Sequence, residues 1–135
     1  IPAANSIMAL NLFALSHYLD KKEYKDQAQR MMNHVSESMY SYGENYSNWA
    51  MLHLNFCFPY YEIAISGDKA KDKYLEFQRE FLPNVLWIQS EKDSKLALLE
   101  NRFISGETTI YVCENNVCQL PQNEVYKAKK LILKE

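Results

Sequence analysis

The sequence predicts an α+β protein in which helices come first and a small α/β unit follows. Apolar residues recur at helical spacing through residues 1–59, whereas β-branched and aromatic runs alternate with helical segments through residues 60–135. Near the end, two β-prone runs flank Asn115 and Asn116, residues that accept the positive φ of a two-residue hairpin turn. We therefore expect a helical domain at 1–59 and an α/β domain at 60–135.

The first predicted helix covers residues 1–19 and begins at Pro2 or at a cap formed by Asn5 and Ser6. Its apolar residues lie on nearly every side, which is the pattern of a helix enclosed by other elements. These residues are Ile7, Met8, Leu10, Leu12, Phe13, Ala14 and Leu15. Asn5 and Ser6 are also candidate ligand-binding residues, with capping of this helix as the alternative role.

Two further helices follow in the first region. Asp20 and Glu23 have the spacing of a capping box, which predicts that a second helix starts with Asp20 as its N-cap. A third helix is expected at residues 47–57, because Pro59 disfavours helical geometry at Phe58. The first region is therefore predicted to be entirely helical.

The second region has the predicted order β, α, β, short α, β, β, α. This is the order of the thioredoxin fold's core, so we expect a thioredoxin-like topology. A crossover helix between the first two strands makes those strands parallel. The predicted elements are strands at 61–66 and 85–89, helices at 69–82 and 95–102, a hairpin at 108–114 and 117–120, and a last helix after Asn123.

Cys113 and Cys118 are the first candidates for chemistry. If Asn115 and Asn116 form the turn, the two cysteines face each other as a non-hydrogen-bonded pair with Cα atoms about 4.5 Å apart. Such a pair is able to form a redox disulfide or to supply half of a metal site. The favoured interpretation is two reduced cysteines on an edge hairpin, because cytosolic thiols are normally kept reduced.

His53 and Cys57 are four residues apart and share one face of the third helix. Together with the hairpin cysteines they have the composition of a Cys₃His zinc site, but packing residues are the favoured interpretation, so no metal site is predicted. Thioredoxins carry their reactive C-x-x-C where the first strand meets the first helix. Here Gly67 and Asp68 occupy that place, without a cysteine.

Composition and motifs narrow the function classes. Fifteen basic and seventeen acidic side chains give a net charge of -2, which predicts neither a nucleic-acid nor a membrane partner. Three cysteines, an odd number, favour a reducing compartment, here the cytoplasm. No glycine-rich phosphate loop, G-x-S-x-G or H-E-x-x-H motif is present, so we predict no cofactor and no catalytic residue.

Three segments resemble one family. Residues 111–121 read Y-V-C-x-N-x-x-C-x-x-P, residues 2–6 read P-A-A-N-S, and residues 62–68 read E-I-A-I-S-G-D ahead of L-P-N at 82–84. These motifs are similar to the C-terminal end of the spermatogenesis-associated proteins that have an N-terminal thioredoxin-like domain, and of their bacterial relatives.

The resemblance implies a larger protein. Such a member has a thioredoxin-like domain, then an (α/α)₆ toroid similar to sugar epimerases and six-hairpin glycosidases, then this α/β tail. The chain then holds the last toroid helices, with the upstream part of the same protein as its partner and a carbohydrate-like small molecule as the substrate, if any. An isolated chain of this kind is expected to self-associate. The alternatives are a redox module using Cys113 and Cys118 and an independent interaction domain.

Overall fold

A computed structural model describes residues 4–133, and the chain forms two compact units, Ile1–Pro59 and Tyr60–Glu135. It is an α+β protein with five α-helices and one four-stranded sheet among the described residues. The first unit contains α1 (Ala4–Tyr18), α2 (Lys22–Ser41), a short 3₁₀-helix (Gly43–Tyr46) and α3 (Ser47–Cys57). The second contains β1 (Tyr61–Gly67), α4 (Ala70–Phe77), β2 (Val85–Ser90), β3 (Thr108–Glu114), β4 (Val117–Cys118) and α5 (Val125–Leu133).

The connection between α1 and α2 corrects the predicted capping box. Asp20 has a φ of 50° and does not cap α2, whose N-cap is Lys21. The backbone N–H of Lys21 instead donates to the carbonyl of Ser16. This is the Schellman arrangement that closes the end of a helix through a residue in the left-handed region. Asp20 therefore takes part in ending α1 rather than in starting α2.

Aromatic packing joins the helices of the first unit. The ring of Phe13 on α1 lies edge-on to His17, with ring centroids 4.7 Å apart, and to Phe56 on α3, with centroids 5.1 Å apart. Such edge-to-face pairs add about 1 kcal/mol each beyond the area they bury. The third helix ends as predicted, because Phe58 adopts extended backbone geometry before Pro59.

The sheet of the second unit has the strand order β2-β1-β3-β4. The central strand β1 runs parallel to β2, as the predicted crossover helix requires, and antiparallel to β3. The hairpin partner β4 is only two residues long and pairs antiparallel with β3. Every residue of β1 is buried, so both faces of the sheet are covered at its centre.

The two faces of the sheet differ in chemistry. One face packs against α4 and α5 and forms the apolar core, which contains Ile63, Ile65, Phe77, Ile110, Val112, Ala128 and Ile132. The opposite face carries Glu62 and Ser66 from β1 and Thr109, Tyr111 and Cys113 from β3. Because side chains alternate along a strand, the core pattern of β1 places its polar residues together on this second face.

The segment between β2 and β3 differs from its prediction. Residues 95–102 form consecutive turns rather than a helix, with backbone bonds from Leu99 and Glu100 to the carbonyl of Leu96. Asn101 has a φ of 58°, which is incompatible with continuing a right-handed helix. Arg102 follows directly, and its guanidinium reaches the polar face of the sheet.

Candidate functional site: a disulfide hairpin beside a buried carboxylate

The hairpin has the predicted register. Asn115 and Asn116 have φ values of 51° and 63°, as a type I′ turn requires, and Cys113 pairs with Cys118. Their Cα atoms are 3.8 Å apart, closer than expected, and a disulfide joins the two sulfurs at 2.07 Å. The free thiols expected from a reducing compartment are therefore not what the structure contains.

The two cysteine residues differ in their exposure to solvent. Cys113 is completely buried on β3, whereas Cys118 on the short edge strand β4 is half-buried. This difference arises because β3 lies between two strands, while β4 has a partner on one side. An approaching reagent therefore meets Cys118 first.

Arg102 lies directly beside the disulfide. Its Nη2 is 3.3 Å from the Sγ of Cys118, and its Nη1 is 3.9 Å from the Sγ of Cys113. The guanidinium also lies over the ring of Tyr111, 4.5 Å from the ring centroid, which is a cation–π contact. Burial lowers the pKa of Arg102, and the nearby Tyr111 and Glu62 oppose that shift. The side chain remains a cation at any physiological pH.

Glu62 is the buried acidic residue of this cluster. It has no exposed surface, and it lies opposite Cys113 in the register of β1 and β3. Its Oε2 accepts a hydrogen bond of 3.1 Å from the backbone N–H of Asn116 in the hairpin turn. A buried carboxylate is expensive unless it is hydrogen-bonded or near a cation, and here the turn and Arg102 supply both.

The arrangement is suited to thiol chemistry. A cation beside a cysteine sulfur stabilises the thiolate, which is the nucleophilic and leaving-group form of the residue. We call the bond between Cys113 and Cys118 the hairpin disulfide. It lies beside Glu62, near one end of β1. Gly67, at the other end of β1, is roughly 16 Å away along the strand, at a rise of about 3.3 Å per residue.

Sequence reasoning identified Cys113 and Cys118 but missed Glu62, Arg102 and Tyr111. One signal was present for Glu62, because an acidic residue between apolar neighbours in a strand that is buried on both faces needs a partner. Arg102 gave no such signal. Its position depends on the turns of residues 95–102, which were predicted as a helix.

Two hydrogen bonds link the strand-to-helix junction after Gly67 to residues 106–108. Asp68 accepts a 2.8 Å hydrogen bond from the backbone N–H of Gly106, and the backbone N–H of Lys69 donates to the Oγ1 of Thr108. These bonds occupy the polar groups at the place where thioredoxins carry their C-x-x-C motif. The junction therefore has a structural role.

The predicted ligand-binding residues Asn5 and Ser6 both lie within α1, in its first turn. Ser6 is buried, and its Oγ accepts a 3.3 Å hydrogen bond from the Nδ2 of Asn48 on α3. Asn5 lines a cleft of about 350 Å³ in the first unit together with Gln27, Arg30, Met31, His34, Val35 and Trp49. Of the two, Asn5 borders a cavity and Ser6 takes part in helix packing.

His53 and Cys57 are neighbours on α3, with Nε2 and Sγ 3.4 Å apart. The hairpin cysteines are bonded to each other, so they offer no thiolates to a shared metal ion. Within residues 4–133 no group of three or more His, Cys, Asp or Glu side chains is arranged to hold a metal ion. In the same range no helix is long and apolar enough to cross a membrane.

Fold and site together define an α+β protein that combines a helical unit with a four-stranded mixed sheet and a disulfide-linked hairpin. The chain is 26% identical to human spermatogenesis-associated protein 20 over 142 aligned residues, which cover 97% of this chain and 18% of that protein. It therefore spans less than a fifth of the relative's length. No protein-family model matches the chain, and no solved structure gives a significant match. The similarity supports a distant relationship to that protein.

Proposed function

We propose that this chain is a non-catalytic portion of a larger thioredoxin-domain-containing protein, and that its helical unit completes an (α/α)₆ toroid formed with other helices of the same polypeptide. The similarity to a protein of more than five times the aligned length supports a larger whole. The three motifs described above support this family, and a position at its C-terminal end is part of the proposal.

The observation that carries the proposal is the exposure of large apolar side chains on α1. The buried side of α1 combines Ala9 and Phe13 with the polar Ser6, Ser16 and His17, whereas Ile7, Met8 and Leu15 are 44%, 54% and 41% exposed. A helix at the surface of a fold normally has polar residues on its exposed side. Covering these three side chains by other helices gains about 1 kcal/mol each from the apolar surface removed from water.

The cleft in the first unit supports a small-molecule ligand for the assembled toroid. Its lining combines an indole ring, a guanidinium, an imidazole and two amides. Aromatic and hydrogen-bonding groups of these kinds bind the faces and hydroxyl groups of sugars. We therefore propose a carbohydrate-like molecule as the class of ligand, with Asn5 among the groups that contact it.

The order of elements in the second unit supports a thioredoxin-like origin for the tail. Its sheet places a parallel pair beside an antiparallel hairpin, with both helices on one face. Because the junction at Gly67 carries no cysteine, we propose that this tail has a structural role at that end.

Oxidation of methionine tests the toroid proposal. In the isolated chain, diluted until it is monomeric, we expect Met8 to react readily with dilute hydrogen peroxide, because this residue is 54% exposed. In the full-length protein we expect its oxidation to slow by about tenfold or more, because only the exposed thioether reacts freely. Hydroxyl-radical labelling of Phe81, which is 88% exposed in the second unit, provides the control. An unchanged oxidation rate at Met8 contradicts the proposal.

A second candidate function is a redox module that uses the hairpin disulfide. The specific observation in its favour is the guanidinium of Arg102 next to both sulfurs. In the cytoplasm, which we propose as the compartment, disulfides are transient and regulatory rather than permanent. Thiol titration before and after treatment with reductant tests this function, since two thiols that survive mild oxidation exclude it.

A further inference from the structure

We infer that Cys118 is the sulfur that an incoming thiol attacks, and that Arg102 stabilises the thiolates this attack releases, with a dithiol as the class of reductant. The inference deepens the redox candidate and rests on it. Nothing in the motifs separates the two cysteines or indicates Arg102. Both assignments come from the environment of the hairpin disulfide.

Access decides which sulfur reacts. Thiol–disulfide exchange requires the attacking thiolate, the attacked sulfur and the leaving sulfur to lie in line. Cys113 has no exposed surface, since β3 is flanked by β1 and β4. Cys118 is half-buried on a two-residue edge strand, and we therefore assign its sulfur as the one that a thiolate attacks.

The exchange proceeds in two steps. A thiolate of the dithiol attacks the Sγ of Cys118, the disulfide bond breaks, and its electron pair leaves on the Sγ of Cys113. The second thiolate of the reductant then attacks the mixed disulfide, releases Cys118 as a thiolate and closes a cyclic disulfide. The protein disulfide gains two electrons, the dithiol loses two, and its two protons pass to solvent or to the protein thiols.

Arg102 lies where negative charge develops in both steps. Its Nη1 is 3.9 Å from the sulfur that leaves first, and its Nη2 is 3.3 Å from the sulfur released second. The stacked ring of Tyr111 holds the guanidinium in this place. The reduced hairpin is therefore expected to contain a thiolate at neutral pH.

Glu62 acts in the opposite direction. Its carboxylate attracts the same guanidinium and faces Cys113 across the two strands. A new thiolate at Cys113 therefore competes with Glu62 for the positive charge and is repelled by the carboxylate. Removing the charge of Arg102 and removing the charge of Glu62 are consequently expected to shift the disulfide equilibrium in opposite directions.

The first experiment compares the two sulfurs. Cys57→Ser removes the free, exposed cysteine, and in this background Cys113→Ala and Cys118→Ala each leave one hairpin thiol. With dithionitrobenzoate as the probe, we expect the lone Cys118 to react at least about tenfold faster than the lone Cys113, because reactivity follows exposure and thiolate content. Equal rates, or a faster Cys113, overturn the assignment of the attacked sulfur.

The second experiment measures the role of Arg102 in the Cys57→Ser background, by equilibrium with dithiothreitol and by the ultraviolet absorbance of the thiolate. Arg102→Gln is expected to raise the lower thiol pKa of the reduced hairpin by about one unit and to reduce the equilibrium constant for reduction about tenfold. Arg102→Lys should recover part of both effects. Arg79→Gln, which removes an exposed arginine of the same unit, should change neither.

Glu62→Gln provides an independent variant that preserves the shape of the buried side chain. It is expected to lower the same thiol pKa and to favour reduction, and this sign distinguishes electrostatics from loss of structure. If the hairpin disulfide cycles reversibly but all Arg102 and Glu62 variants match Arg79→Gln, the inference fails and the redox candidate survives. If the starting protein does not cycle at all, the redox candidate fails.

Discussion

Gly67 ends β1 with a φ of 127°, a conformation that L side chains rarely adopt. A Cβ added at this position lies 1.9 Å from the carbonyl oxygen of Glu107, so the backbone of the loop before β3 must move to accept it. This contact explains why the close approach of two backbone segments at this end of the sheet requires glycine.

We expect Gly67→Ala to lower the free energy of unfolding by about 3 kcal/mol, the sum of backbone strain and overpacking. Gly106→Ala, at a φ of 84° but with open space around it, should cost about 1 kcal/mol. Gly43→Ala has open space and no such φ, and it should stay within about 0.5 kcal/mol. Urea unfolding measures all three, and equal losses at Gly67 and Gly43 contradict this ranking.

Lys73 on α4 is tied to two other segments by its ammonium group. Its Nζ donates a 2.9 Å hydrogen bond to the carbonyl of Thr108 at the start of β3 and another to the carbonyl of Asn123 before α5. Burial lowers the pKa of Lys73 below 10.5, and the charges of Glu76 and Glu124 counteract part of this shift.

The lowered pKa of Lys73 predicts a pH dependence. In the range just below 10.5 the unfolded chain binds more protons at this residue than the folded chain, so the free energy of unfolding rises with pH there. Lys73→Met lacks this contribution. The unfolding free energy of the starting protein minus that of Lys73→Met should therefore increase from about pH 8 to about pH 10.

The control for this change is Lys71→Met, which removes one positive charge from an exposed position of the same helix. Urea unfolding at each pH measures the differences. A Lys73→Met difference that stays constant or decreases as the pH rises is inconsistent with a buried ammonium at Lys73.

At the scale of elements, the hairpin shows what local sequence decides. Two adjacent asparagines between β-prone runs specified the turn, and the turn fixed the register that brings Cys113 opposite Cys118. The prediction of a short helix at residues 95–102 is wrong, because the chain turns at Asn101, whose φ of 58° does not continue a right-handed helix. Local propensity therefore predicted that Cys113 faces Cys118, but it did not predict the conformation of the segment that carries Arg102.

The positive φ values in the turn at Asn115 and Asn116 lead to a prediction about stability. Asn115→Gly retains easy access to a positive φ, so we expect a change within about 0.5 kcal/mol. Asn115→Val places a β-branched residue at a φ of 51° and should cost about 1–2 kcal/mol. Measured in the presence of reductant, urea unfolding reports the turn without the disulfide. Equal stability of the two variants contradicts the observed turn geometry.

At the scale of the whole molecule, sequence periodicity predicted the helices that the structure shows in the first unit. It also predicted an α1 surrounded by other elements, whereas the structure covers one side of this helix and leaves Ile7, Met8 and Leu15 exposed. The covered side consists of Ser6, Ala9, Phe13, Ser16 and His17. Small and polar residues allow close packing of α1 against its neighbours when their hydrogen-bonding groups are satisfied, as for Ser16, whose Oγ donates to the carbonyl of Phe13. The larger aliphatic residues consequently lie outside.

The exposed aliphatic side of α1 predicts that the isolated chain self-associates. In a pure solution, the apolar surface that is available to cover this side belongs to a second copy of the chain. Met8→Lys combined with Leu15→Lys should weaken this association at least about tenfold, since each substitution removes about 1 kcal/mol of apolar burial and adds a charge. Gln78→Lys adds a charge at an exposed polar position of the second unit rather than of α1, and should leave the association nearly unchanged. Sedimentation velocity over a concentration series measures these assemblies. A starting protein that remains monomeric throughout removes the support that α1 gives to the toroid proposal.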